Sequence, residues 1–150
     1  MSQSLAKIYI HAIFSTKNRA ACLSPDVRHE LFPYMATVLQ NLDCPPIVVG
    51  GEMDHLHILC ALSKNLSAKD FIAKIKPPTS KWLKTKGVRF GKFQWQNGYG
   101  VFSVSASMLH NVKKYIANQE EHHRKVSFQD EFREFLKRYE IEYDEKHVWD

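Results

Sequence analysis

The stretch Ile47-Val-Val-Gly50-Gly51-Glu-Met-Asp54-His55-Leu56-His57-Ile58-Leu59-Cys-Ala-Leu62 decides the fold. Two short apolar runs flank the Gly50–Asp54 segment, so the pair predicts an antiparallel hairpin. Upstream, Ser24-Pro25-Asp26 marks a helix start, with Ser24 as cap and Pro25 at the first helical position. Leu31, Met35, Val38 and Leu39 carry helical spacing to about residue 41, where Cys44-Pro45-Pro46 breaks the chain. Residues 5–15, rich in β-branched and aromatic side chains, predict a first strand. Downstream, Asn65-Leu66-Ser67 opens a second helix carrying Leu66, Phe71, Ile72 and Ile75. Pro77-Pro78 should stop or kink it before helix resumes at Trp82 and Leu83. Residues 93–105 predict a strand bent at Gly98 and Gly100, residues 108–121 an amphipathic helix, and residues 128–139 another.

The resulting order, β-α-β-β-α-β-α, predicts an α+β fold: an antiparallel sheet of four to five strands in a ferredoxin-like or RRM-like sandwich. Helices would pack on one face and leave the other open to a ligand. The length of 150 residues suits one domain, 1–150, with about residues 140–150 as a C-terminal extension. No window approaches the roughly 18 apolar residues that span a bilayer, which predicts no membrane partner. Residues 1–7 lack the features of a signal peptide. Cys22, Cys44 and Cys60 are odd in number, widely spaced and form no C-x-x-C, so a disulfide framework or cysteine zinc site is not expected. A cytoplasmic location follows from these readings.

The net charge of +5 points to a polyanionic partner, but it is unevenly spread. Residues 64–92 hold nine basic residues against Asp70 alone, whereas residues 120–150 hold six basic and ten acidic ones. Phe71, Trp82, Phe90, Phe93 and Trp95 lie in or beside the basic block. Basic residues interleaved with aromatics suit phosphate contact plus base stacking; a solvated helix face followed by a lysine-rich loop has the same composition. Lys17, Arg19, Lys74, Lys76 and Lys81 are the candidate DNA contacts.

Two constellations carry chemistry. Strand alternation places His55 and His57 on one face and Leu56 and Ile58 on the other. Two imidazoles about 7 Å apart along a strand can share one metal ion, although H-x-H alone is common among ordinary sheet histidines. In the second, Tyr115 and Gln119 share a helix face, with Asn111 and His122 near that stripe and Leu109, Val112 and Ile116 on the neighbouring apolar one. A boundary tyrosine often only packs its ring and wets its hydroxyl. Beside a metal it can also be a nucleophile. A divalent ion held by His55 and His57, with Gln119 as third ligand, could polarise a phosphodiester for attack by Tyr115.

Here the sequence resembles the single-tyrosine HUH transposases of small bacterial insertion sequences, which include the REP-associated tyrosine transposases. The resemblance is carried by His11-Ala-Ile-Phe-Ser-Thr-Lys17, Asp54-His-Leu-His-Ile-Leu59, Ser80-Lys-Trp-Leu83, Trp95-Gln-Asn-Gly-Tyr-Gly-Val-Phe-Ser-Val-Ser105 and Tyr115-Ile-Ala-Asn-Gln-Glu-Glu-His122. Glu142-Tyr-Asp-Glu145 and Val148-Trp-Asp150 are similar to one branch. The resemblance implies that His55 and His57 are the HUH pair, Gln119 the third ligand of Mg²⁺ or Mn²⁺, and Tyr115 the nucleophile. It further implies cleavage of single-stranded or hairpin DNA at element ends, leaving a 5′-phosphotyrosine and a free 3′-hydroxyl. A homodimer with active sites completed in trans is implied for many members. Lys76-Pro77-Pro78-Thr79 departs from the family pattern and stiffens a region near the expected DNA surface.

Two other classes compete with this reading. A nucleic-acid-binding module, or a domesticated repeat-binding protein without strand transfer, would use sheet aromatics such as Tyr9 and Phe14 and be indifferent to loss of the histidines. A histidine-triad hydrolase would want a third histidine at position 59, which is Leu59. Among the remaining polar residues, His11, Glu52 and Asp54 could face or orient the imidazoles, or be ordinary sheet and turn residues. His122 and His123 read as the polar end of the tyrosine helix, and residues 95–102 as an interface or core strand.

Overall fold

The computed structural model describes residues 2–150. Its main elements are β1 (Tyr9–Ser15), α1 (Pro25–Asn41), β2 (Pro46–Glu52), β3 (His55–Ala61), α2 (Ala68–Lys84), β4 (Gly100–Val104), α3 (Leu109–Ala117), α4 (Gln119–His123) and α5 (Phe128–Arg138). The strands form a sheet in the order β2-β3-β1-β4, every neighbouring pair antiparallel. This is the split βαβ arrangement expected of the α+β sandwich.

Alternation along β1 and β3 divides the molecule into two layers. Ile10, Ala12, Phe14, Leu56, Ile58 and Cys60 face α1 and α2, where they meet Leu31, Met35, Leu39, Phe71, Ile75 and Leu83. Each of the leucine, isoleucine, methionine and phenylalanine side chains contributes about 2 kcal/mol by leaving water, and Ala12 and Cys60 less. Phe14 is therefore core and unavailable to a nucleobase. The opposite face is not open, contrary to the sequence expectation. The apolar stripe of α5 (Phe128, Phe132, Phe135 and Leu136) closes over Ile13 and Phe102, with Val148 and Trp149 packed at its edge. The last residue is tied down as well, because Gly98 N and Gln96 Nε2 donate to the Asp150 carbonyl oxygen at 2.8 and 3.2 Å.

Three elements differ from their sequence expectation. Helix α2 runs unbroken through Pro77 and Pro78. The two missing N–H groups free the carbonyls of Ala73 and Lys74, which lie on the exposed face where water can satisfy them. The expected strand at 93–105 shortens to Gly100–Val104, with Trp95 only bridging to Thr16. There Gln96 N still donates to Ser15 O at 2.9 Å, while its side-chain Oε1 takes the Ser15 N–H at 2.7 Å in place of a backbone carbonyl. The helix expected over 108–121 divides at Asn118, whose φ of −101° and ψ of 25° end α3 and redirect the chain into α4. Among the described residues the three cysteines are free, and no helix is long and apolar enough to cross a membrane.

Candidate active site

All of β3 is buried, so His55 and His57 are sealed between the sheet and the C-terminal helices. Each has its Nδ1 committed. Asp54 Oδ1 lies 2.7 Å from His55 Nδ1, and His11 Nε2 lies 2.7 Å from His57 Nδ1. A carboxylate can only accept, so His55 donates from Nδ1 and presents the lone pair of Nε2 inward. Burial, with the neighbouring His57, pushes His11 well below the usual imidazole range, which suits a neutral acceptor. Burial also pulls His57 down to about 4.

The C-terminal helices supply what faces these nitrogens. Helix α3 docks on β2 through Ile116, and the break at Asn118 drives the next residue, Gln119, into the interior. Gln119 Oε1 lies 3.1 Å from His55 Nε2 and 2.9 Å from His123 Nε2. His123 is one helical turn beyond Gln119, and its Nδ1 donates to the Val126 carbonyl at 2.6 Å. The chain then turns into α5, capped by Ser127 Oγ, which accepts from Asp130 N at 3.1 Å as a first-turn cap should. On that helix Glu131 sits inside the apolar stripe, its side chain only 2% exposed. Its Oε1 lies 2.9 Å from His57 Nε2 and 3.2 Å from His123 Nε2.

Burial opposes ionisation of Glu131, but hydrogen bonds from His123 and His57 outweigh it and hold the carboxyl far below its usual range. Burial likewise opposes charge on His123, and contact with Glu131 wins, raising it. The donor atoms of His55, His57, His123 and Glu131 all lie within 4.8 Å of one another. Imidazole nitrogens, an amide oxygen and a carboxylate oxygen thus converge, and once the nitrogens give up their hydrogens the set can ligate a divalent cation. Imidazole and carboxylate donors fit Mn²⁺ well, and Mg²⁺ less well.

Tyr115 borders this cluster. Its hydroxyl donates to Glu131 Oε2 and lies 3.3 Å from His122 Nε2. Burial first, then the Glu131 charge, pushes the phenol above its usual range. In front of the ring opens a cleft of about 460 Å³, lined by His11, Val112, Tyr115, His122, Glu131 and Arg138 among others.

Comparison with known proteins decides the family. The family described as "Transposase IS200 like" matches residues 4–119 of the 150. The chain belongs to the IS200-like transposase family. Two solved structures share its fold. One is a candidate transposase from Deinococcus radiodurans R1, 21% identical with a TM-score of 0.62, the alignment covering 79% of this chain and 98% of that one. The other is a REP-associated tyrosine transposase bound to a REP hairpin, 14% identical with a TM-score of 0.58, covering 84% of this chain and 76% of that one. No curated protein matches significantly.

In this IS200-like chain the structure brings His55, His57, Gln119 and Tyr115 together from a single subunit. Asp54 and His11 orient the imidazoles rather than serving only turn and sheet, while Glu52 points away, towards Arg28 at 3.8 Å. Two members of the cluster were not singled out as ligands from the sequence. In the sequence His123 reads as a polar helix end, and Glu131 belongs to no motif, although a carboxylate between Phe128 and Phe135 on an apolar stripe is the signal that marks it. Glu131 lies beyond the stretch that matches the family. Among the basic candidates, Lys17, Lys74 and Lys81 are exposed and Arg19 is partly so. Lys76 differs: its ammonium donates to the carbonyls of Gln96 at 2.6 Å, Gly98 at 2.7 Å and Asn97 at 3.3 Å, so it clamps that loop and is not free for a phosphate.

Proposed function

We propose that this IS200-like transposase cleaves and rejoins single-stranded DNA, with Tyr115 as the nucleophile. The observation that carries the reading is the meeting, within one chain, of the Tyr115 hydroxyl with the donor cluster around His55 and His57. A divalent cation, Mg²⁺ or Mn²⁺, held by His55, His57 and Gln119, would supply Lewis-acid polarisation of the scissile phosphate. The remaining work belongs to the chain itself. Asp54 and His11 hold both imidazoles in the tautomer that presents Nε2. Helix α3 holds the phenol at the mouth of the cleft, where its oxygen attacks phosphorus to give a 5′-phosphotyrosine and a free 3′-hydroxyl. That hydroxyl can later attack a phosphotyrosine, so strands rejoin without an external energy source.

Hairpin DNA is the proposed partner, in keeping with the REP hairpin bound by the structural neighbour. Lys17, Arg19, Lys74 and Lys81 are proposed to hold its phosphates. A homodimer that pairs two DNA ends is part of the proposal, its active sites completed in cis or in trans.

The test is a denaturation-resistant adduct. A pool of random-sequence single-stranded oligonucleotides, labelled at the 3′ end, is incubated with the protein and Mn²⁺. Labelled protein should appear with wild type and vanish with Tyr115→Phe or with chelator. An adduct that survives Tyr115→Phe would remove Tyr115 as the nucleophile.

A further inference from the structure

We infer that Glu131 is a catalytic residue with one oxygen for each half of the site: Oε2 takes the phenolic proton of Tyr115 as it attacks, and Oε1 is a ligand of the divalent cation. The inference rests on the strand-transfer reading above and adds to it a residue outside the family-matched stretch.

A phenol is a poor nucleophile until its proton leaves, and the acceptor must stand within hydrogen-bond reach. Two side chains reach the Tyr115 hydroxyl: Glu131 through Oε2, and His122 through Nε2 at 3.3 Å. Glu131 is the better placed. It makes the closer contact, and its side chain is 2% exposed against 30% for His122, so water does not compete for it. An ionised carboxylate only accepts, which fixes the direction of the bond from tyrosine to glutamate. Gln119 Nε2, 3.3 Å from the same Oε2, steadies that oxygen without removing its capacity for the proton.

The other oxygen faces the metal half. Oε1 stands 2.9 Å from His57 Nε2 and 3.2 Å from His123 Nε2, nitrogens whose Nδ1 partners are His11 and Val126 O. Without a cation these nitrogens donate to Oε1; a divalent cation displaces those hydrogens, and the freed Nε2 lone pairs and Oε1 then face it together. One rigid side chain thereby links the nucleophile to the cation site. It is anchored by its position between Phe128 and Phe135 on the buried face of α5.

The chemistry balances. On cleavage the Tyr115 O–H bond breaks and its proton passes to Oε2, while the phenolic oxygen bonds to phosphorus. The P–O3′ bond breaks, and its electron pair leaves with O3′, which is protonated by Glu131 or water. On rejoining, the attacking 3′-hydroxyl gives its proton to the Glu131 carboxylate as O3′ bonds to phosphorus. The Tyr115 O–P bond then breaks, and a protonated Glu131 returns the proton to the phenolic oxygen.

The experiment compares wild type, Glu131→Gln and Glu131→Asp in two assays. One is Mn²⁺ binding to the DNA-free protein by titration calorimetry. The other is the adduct rate at saturating Mn²⁺ with the 3′-labelled pool. Glu131→Gln should form adduct about 100-fold more slowly or worse and bind Mn²⁺ about tenfold more weakly. Glu131→Asp, which keeps a carboxylate, should fall between Gln and wild type, and it remains informative if Glu131→Gln does not fold. Replacing Tyr115 by 3,5-difluorotyrosine, a more acidic phenol, should restore about tenfold of the rate in Glu131→Gln and none in wild type. An unchanged or faster rate in Glu131→Gln, or a loss the fluorinated phenol does not relieve, overturns the proton-acceptor role. Unchanged Mn²⁺ affinity overturns the ligand role. If wild type binds Mn²⁺ but labels with no DNA, the strand-transfer reading falls and takes the proton role with it, while the ligand role is still decided by calorimetry.

Discussion

Ile116 rests on the bare backbone of Gly50: a Cβ at residue 50 would lie 2.7 Å from Ile116 Cγ2 and 2.7 Å from its carbonyl oxygen. Ile116 is the buried residue of α3, so this contact seats the helix that carries Tyr115. Gly50→Ala must push α3 off β2. The expected cost is about 1–3 kcal/mol in urea denaturation. The adduct rate should fall further, by about 100-fold, because a shift of 1 Å spoils the alignment of attack. Wild-type rates in a Gly50→Ala protein would show that the seat of α3 is set elsewhere.

Arg28 ties three elements to one another. Its buried guanidinium donates to Leu23 O and, at 2.8 Å, to Glu120 Oε1 on α4, with Glu52 Oε2 of β2 at 3.8 Å. Glu52 Oε2 is buried and has no hydrogen-bond partner, so the guanidinium is the charge that compensates it. Arg28→Ala should therefore lose about 3–5 kcal/mol. Glu120→Ala, which removes an exposed partner, should lose under about 1 kcal/mol. Adding Glu52→Gln to Arg28→Ala should recover part of the loss; a strictly additive double variant would mean that the two side chains do not interact.

The local code carried most of the fold. The hairpin at residues 47–62 was legible because Gly50-Gly51 sits between two apolar runs, and α1 because Ser24-Pro25 marks its start. The Pro77-Pro78 pair misled because its cost depends on whether the freed carbonyls meet water, and that is a tertiary fact. The covered second face was hidden for a similar reason: the stripe of α5 is obvious, but its target is not. At the site, strand alternation exposed the relation between His55 and His57, and helical spacing that between Tyr115 and Gln119. Glu131 and His123 reach the same point only because Asn118 breaks the helix and Val126-Ser127 turns the chain back. No periodicity encodes that convergence.

Without metal, stability should peak near neutrality. Burial keeps His57 near 4 and His11 low, so both stay neutral while the unfolded chain binds protons below about 6.5. Stability is then lost as pH falls from 6.5, at about 1.4 kcal/mol per pH unit for each group that stays neutral. His122, lowered by burial but partly exposed, acts weakly in the same direction. His123 is raised, so its contribution is complete below about 6.5 and fades as pH climbs through its folded value. Glu131, strongly depressed, contributes a constant amount above about pH 4.3. Urea midpoints in EDTA should drop steeply between pH 6.5 and 5; a flat profile there would mean that the imidazoles are hydrated.

Asp54 should govern metal affinity without governing the fold. Its carboxylate fixes the His55 tautomer at 2.7 Å, while its backbone carbonyl separately accepts from Thr16 N at 2.8 Å and holds the turn. Asp54→Ala removes the first interaction and keeps the second. The His55 ring, stacked on Phe128 with centroids 4.6 Å apart, stays in place but can present either nitrogen inward. Mn²⁺ affinity should therefore fall about 10- to 100-fold by calorimetry, while stability in EDTA changes by less than about 1 kcal/mol, since Asp54 is only partly buried. Unaltered affinity would show that packing against Phe128, rather than the carboxylate, orients the imidazole. A large loss of stability would mean that the carboxylate also supports the turn.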